Sequence, residues 1–229
     1  MSDRPGFMSR FTHWMWIVPV LVVVGLVLAV WPPVGIEELL DWGRRLADSP
    51  VFVACAVAAI ALLFAFGLPG SVGLWLIAPF HPPLIATALL VAGSVAGALG
   101  AYFVGARLGG RWQPAGLARR VLMLLRRRAD PAVQLALRIL PGFPHSVINF
   151  AGGVLLLPRG VFLLSALVGL TIKWAVYAAA VHGLVEAVEA GGRLQASTLL
   201  PLLALSALLL LGAWARQRLA RTADREARR

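Results

Sequence analysis

From Leu84 to Ala106 the chain runs for 23 residues without a charged side chain. In a bilayer that length dictates the backbone. A helix rises 1.5 Å per residue, so about 20 residues cross the hydrocarbon, and no water is there to satisfy any more open backbone. Runs at 14–30, 161–181 and 198–214 meet the same test, and Lys173 is the only charge in them. Of the 229 residues 60% are hydrophobic and the mean hydropathy is +0.84, far from the balance of a soluble domain. The chain is expected to be an all-α polytopic membrane protein with about four transmembrane helices. The run at 14–30 is expected to be a retained span, because Trp31-Pro32-Pro33 stands where a signal peptide would have small residues for cleavage.

Other apolar stretches are too short to cross. Val51 to Phe66 reaches about 24 Å as a helix, against a hydrocarbon thickness of about 30 Å, and ends in Gly67-Leu68-Pro69-Gly70. Ser71 to Phe80 follows and stops at His81-Pro82-Pro83. The pattern returns at 132–140 and 146–157, parted by Pro141-Gly142-Phe143-Pro144. Proline removes a donor and clashes one turn back, so both breaks expose backbone groups that lipid cannot satisfy. Each pair of short arms is expected to form a re-entrant helical hairpin, with Pro69, Gly70, Gly142 and Gly152 as its hairpin-forming residues.

Charge sets the topology. The net charge of +11 comes from 20 arginines and one lysine against 10 acids, and the arginines cluster between apolar runs. That is a positive-inside signature rather than a nucleic-acid surface. Seven arginines and no acid lie between Arg107 and Arg128, and both ends are basic, whereas 37–48 and 186–193 are net acidic. The basic segments are placed inside and the acidic ones outside, an arrangement that four spans and two hairpins satisfy. Residues 34–46 fit an amphipathic helix on the membrane surface. Cys55 is the only cysteine, so no intramolecular disulfide forms. No metal site, cofactor or nucleic-acid partner is expected.

The two hairpin-plus-span units align without gaps at an offset of 72: Leu68-Pro69-Gly70 on Leu140-Pro141-Gly142, Gly97 on Gly169, and Tyr102 on Trp174. With the topology above, the units enter from opposite sides and form an inverted repeat, an organisation that places transporter sites at the repeat interface. The expected domains are 1–33 (basic tail and first span), 34–195 (repeat 1 at 51–106, basic cytoplasmic loop 107–130, repeat 2 at 131–183) and 196–229 (last span and basic tail).

The pattern Arg138-x-x-Pro141-x-x-Pro144, then Asn149, Gly152, Phe162, Gly169, Tyr177 and Gly183, resembles the DedA/VTT-domain superfamily, also called the SNARE-associated Golgi protein family. Phe66-x-Leu68-Pro69-Gly70 and Gly97-x-x-Gly100-x-Tyr102-x-x-Gly105-x-Arg107-x-x-Gly110 are similar to its first half, and the likeness covers roughly 35–195. The resemblance implies a lipid-handling protein with opposed hairpins; bacterial relatives are linked to polyprenyl phosphate recycling and eukaryotic ones to phospholipid scrambling. Pro144 stands where the DedA branch has a second arginine, which is closer to the VTT branch of yeast Golgi vesicle proteins. The DedA acids near the first hairpin have no counterpart, since no acid lies between Asp48 and Asp130.

The candidate substrate-binding residues are Arg138, Pro141, Pro144, His145, Asn149 and Lys173. A cation inside the bilayer costs about 2.5 to 3.5 kcal/mol on insertion scales, and Arg138 and Lys173 have no acid in their own segments. A lipid phosphate fits as their counter-ion: arginine offers two parallel donors and lysine a point charge. Both could instead bind hairpin carbonyls, and Asn149 and His145 could be structural polar groups. Helix starts near Ser71 and His145 would add positive dipole ends. No nucleotide-binding, HExxH or GxSxG motif occurs, so no enzyme is expected. The leading expectation is a flippase- or scramblase-like transporter of a phosphate-bearing lipid, either polyprenyl phosphate or a phospholipid. It is placed in a bacterial cytoplasmic (inner) membrane with both termini cytoplasmic. Anionic membrane lipids are its expected partners, and a homo-oligomer is left open. The alternatives are a proton-coupled small-ion transporter and a membrane-homeostasis or assembly factor.

Overall fold

The structure, a computed structural model, describes residues 36–68, 70–189 and 196–227. The expected first span at 14–30 and the hairpin residue Pro69 lie outside the described residues. The chain divides into two units, Met1–Arg44 and Arg45–Arg229. Most of helix α1, Ile36–Ala47, belongs to the first. Its Glu38, Asp41 and Trp42 are exposed, and Arg44 bonds Asp41 at 3.1 Å.

The second unit begins with α2, Pro50–Ala65. Ser49 caps it by accepting the Phe52 N–H, and Pro50 takes the first turn, where its missing donor costs nothing. The helix ends at Phe66, and Gly67 turns the chain with φ +79°. Helix α3, Val72–Ile77, has only six residues because the expected 71–80 arm unwinds beyond Ile77, where the His81 ring bonds the Ile77 carbonyl. The long helix α4, Pro83–Leu108, passes through a 3-10 turn, Gly109–Arg111, and leads to α5, Gly116–Arg127. Asp130 accepts the Val133 N–H to cap α6, Pro131–Ile139, and α7 is His145–Val154. Helices α8, Arg159–Glu189, and α9, Ala196–Ala227, complete the fold. Among the described residues there is no strand.

Among the described residues, three segments are long and apolar enough to cross a membrane: Pro83–Arg111, Arg159–Glu189 and Leu199–Arg221. They match three of the four expected spans, and the protein is accordingly a multi-pass helical membrane protein. Helices α8 and α9 run past their expected apolar limits. α8 takes in Glu186, which pairs with His182 at 3.5 Å, and α9 takes in the arginines beyond Trp214. Helical periodicity continues because nothing in either stretch breaks it.

Helix α4 is the hub, with α2, α7 and α8 along its length, while α8 also receives α6 and α9. Small residues allow this close packing. A side chain at Gly97 would collide with the Ala61 carbonyl of α2, and one at Gly169 would meet Arg138 Cβ of α6 at 2.8 Å. The two glycines related by the offset of 72 thus mark the same event, a short arm crossing the long helix that follows it. Tyr102 and Trp174, also related by that offset, bond reciprocally across the halves. Tyr102 donates to the Leu157 carbonyl at 2.8 Å, and Trp174 Nε1 donates to Ser94 at 3.0 Å.

Residues 107–130 were expected to be a loop, but half of them form α5. Val121 and Leu125 recur one turn apart, and both are buried against Leu137, Phe143 and Ile148 of the second break, joined there by Ala215 and Leu219 of α9. The arginines keep to the other face, so the loop is an amphipathic helix seated under the break.

Two hairpin assignments also need correcting. At the first break the left-handed residue is Gly67 rather than Gly70, whose missing side chain instead makes room for the Phe64 ring. Gly152 lies inside α7 against the Phe162 ring and forms no turn, whereas Gly142, with φ +87°, does.

Candidate functional site

The two breaks meet. A Cβ placed on Gly67 would come within 2.9 Å of the Phe150 ring and 3.5 Å of Ser146 Cβ, so the first turn rests on the start of α7. Where they meet is a cavity of about 370 Å³. Gly67, Gly70 and Ser71 line it from the first break, Phe143, Pro144, His145 and Ser146 from the second, Lys173 and Trp174 from α8, and Phe64 from α2. Phe64, Phe143 and Trp174 give it aromatic walls, Ser71 and Ser146 two hydroxyls, and His145 and Lys173 two bases, and among the described residues no acid lines it.

Lys173 and His145 form the polar floor. Lys173 is 9% exposed, and its Nζ lies 2.5 Å from His145 Nε2. The Trp174 and Tyr177 rings each lie with their centroids 5.4 Å from Nζ, a distance at which a cation interacts with the ring face. His145 in turn stacks on Phe64 with centroids 5.8 Å apart, tying the second break to α2. An ammonium group can only donate, so when Lys173 is charged, His145 Nε2 accepts and the imidazole is neutral. His145 also opens α7. No side chain caps that helix, so its first-turn N–H groups have no partner in the helix beside the cavity lining.

Arg138 lies outside the cavity lining, at the last turn of α6. It is 1% exposed. Its Nη1 donates to the Gln134 carbonyl at 3.3 Å, and its Cζ lies 4.6 Å from the centroid of the Phe162 ring. Nε and Nη2 are buried without a partner among the described residues. These two nitrogens share one edge of the planar guanidinium, the edge that grips a two-oxygen acceptor through parallel bonds. Leaving both unbonded costs roughly 1 to 3 kcal/mol each, more when the group is charged. Helix α8 meets Arg138 at Gly169, and Lys173 lies one turn further along the same face.

The sequence-derived set therefore divides. Pro144, His145 and Lys173 line the cavity. Asn149 is buried on α7, one turn from His145. Pro141 faces the other way, its carbonyl against Gly212 of α9, where a side chain would collide with it. The expected helix start near Ser71 comes to little, because α3 spans fewer than two turns.

Gln134 and Phe64 were not singled out from the sequence, and Trp174 and Phe162 were named there without these roles. Gln134 orients Arg138 through its carbonyl, while its amide bonds Ala129 and accepts from Ser165 at 3.3 Å. A lone glutamine four residues before the arginine in an apolar run was the available signal. Phe64, Trp174 as a cavity wall, and Phe162 as a cover for Arg138 carried no local signal, since an aromatic in an apolar run looks like any other packed side chain. Phe162 in turn lies against the Tyr102 ring at 5.0 Å.

Comparison of the chain with models of protein families, with curated proteins and with solved structures gives no match.

Proposed function

We propose that the protein is a flippase- or scramblase-like lipid transporter that binds the phosphate headgroup of a polyprenyl phosphate or phospholipid at Arg138 and the adjoining cavity. The observation that carries this reading is the open Nε/Nη2 edge of Arg138, buried in a body whose sequence has no acid between Asp130 and Glu186 or between Asp48 and Asp130. A buried cation with two free donors calls for an anion, and in a membrane the abundant tetrahedral anion with two free oxygens is a lipid phosphate. The short arms α2, α3, α6 and α7 support two re-entrant hairpins, and the paired roles of Gly97 with Gly169 and Tyr102 with Trp174 support an inverted repeat. The basic segments support a bacterial cytoplasmic membrane with both termini inside.

The test is translocation of fluorescent phospholipids and of a polyprenyl phosphate in liposomes containing the purified protein, comparing wild type with Arg138→Lys. The lysine variant keeps the charge but loses the fork, so transport should fall at least tenfold. Equal transport by the two proteins, or none by wild type, would sink the reading.

A second reading, a proton-coupled small-ion transporter, rests on the hydrogen bond between two bases at Lys173 and His145. It is favoured if liposomes show pH-dependent ion flux without lipid movement.

A further inference from the structure

Resting on the lipid-phosphate reading, we propose that headgroup binding is coupled to uptake of a proton by the Lys173–His145 pair. Two nitrogens 2.5 Å apart need one proton and one lone pair between them. A fully protonated lysine and histidine have only donors, so the observed bond means that the pair is short of at least one proton. The vacant position faces a cavity, and His145 is only partly buried, so water can deliver the proton.

The surroundings decide when that position fills. From α8 the pair is faced by the Tyr177 ring, from α6 the nearby charge is Arg138, and from α9 Arg216 reaches the second break at Gly142. The groups that line the cavity from α2 and the two breaks, Phe64, Ser71, Phe143 and Ser146, carry no charge. Tyr102 of α4 has its hydroxyl committed to Leu157. With the site empty, a further proton on the pair would meet only like charge. An anion in the cavity reverses this, because a nearby opposite charge favours the protonated form. As Lys173 swings away, the His145 Nε2 lone pair it occupied takes a proton from water. The Lys173 hydrogen bond is lost, and the flexible lysine stem turns its ammonium toward the headgroup. When the headgroup leaves, the proton returns to water and the bond reforms. No carboxylate is needed, and the cavity lining contains none.

Binding and protonation are linked reciprocally, so each must strengthen the other. The experiment is calorimetry on the purified full-length chain in detergent, titrated with dihexanoyl phosphatidylglycerol in two buffers of different ionisation enthalpy. The phosphodiester of this lipid does not titrate near neutral pH, so any proton change belongs to the protein. The expected result is uptake of about one proton per lipid, with binding tightening up to about tenfold per unit fall in pH across the titration of the pair. In His145→Gln, which keeps an acceptor for Lys173, whatever binding remains should show no proton uptake and a flat pH profile. Should that variant fail to fold, the wild-type proton count still decides.

Binding that depends on Arg138 but leaves the proton count at zero overturns this proposal alone. So does uptake that persists in folded His145→Gln. Uptake with sulfate, a free tetrahedral anion, but not with the lipid would keep the proton site and remove the lipid as its ligand. If wild type binds neither anion, the phosphate reading falls and takes the proposal with it.

Discussion

Arg138→Met separates a guanidinium kept for an anion from one kept for the fold. Methionine is close in volume and unbranched, so it can fill the space between Gln134 and Phe162 without a cavity. The substitution removes three favourable or unfavourable contributions that can be set against each other. Lost are one charged bond to the Gln134 carbonyl at 3.3 Å, worth about 1.5 to 3 kcal/mol, and the cation above Phe162, worth about 2 kcal/mol when desolvated. Relieved are the two unbonded donors Nε and Nη2, together about 2 to 6 kcal/mol. The contributions nearly offset, so the folded protein should change by less than about 2 kcal/mol, which is a shift of less than about 8 °C in a chain of this size. Transport should nevertheless be lost. The assay is thermal unfolding of wild type and variant in the same detergent, followed by lipid translocation in liposomes. A variant that transports normally, or one destabilised by more than about 4 kcal/mol, would refute the argument. The second result would mean that Arg138 pairs with backbone on refolding of the break and belongs to the structure.

Gly153 of α7 lies against α4 so closely that any side chain would collide with the Tyr102 carbonyl. Gly153→Val should therefore cost about 3 kcal/mol or more in a chemical unfolding titration, whereas Gly160→Ala, with nothing nearby, should shift the midpoint very little. Tyr102→Phe leaves the ring against Phe162 but strands the buried Leu157 carbonyl. It should lower stability by about 1 to 3 kcal/mol while preserving transport at a permissive temperature, and loss of transport in a folded protein would contradict that division of roles.

The spans were legible because twenty apolar residues in lipid leave the backbone few choices. The breaks were legible through proline, and Gly142 takes the left-handed turn its position implied. Gly67 and Gly70 could not be ranked in advance, because which glycine turns and which only makes room depends on where the Phe64 ring lands, a tertiary fact. Helix α5 was hidden by its arginines, which read as topology before they read as one face of a helix. In the candidate site, the cations stood out against the apolar background. Their partners did not: that Lys173 meets His145, 28 residues earlier, follows only from α7 and α8 being brought together at the cavity.

The seating of α9 on the second break has a consequence for biogenesis. The Pro141 carbonyl is covered by Gly212, and the cluster holding Phe143 and Ile148 is completed by Ala215 and Leu219. Those residues are made about 70 positions after the break they close, so a ribosome delivers Pro141 and Phe143 to the membrane well before their cover. Until α9 arrives, α5 packs against the turn without it. Closure of the second break over Pro141 is thus a late event of synthesis, and α9 serves as its cover as well as a span in the bilayer.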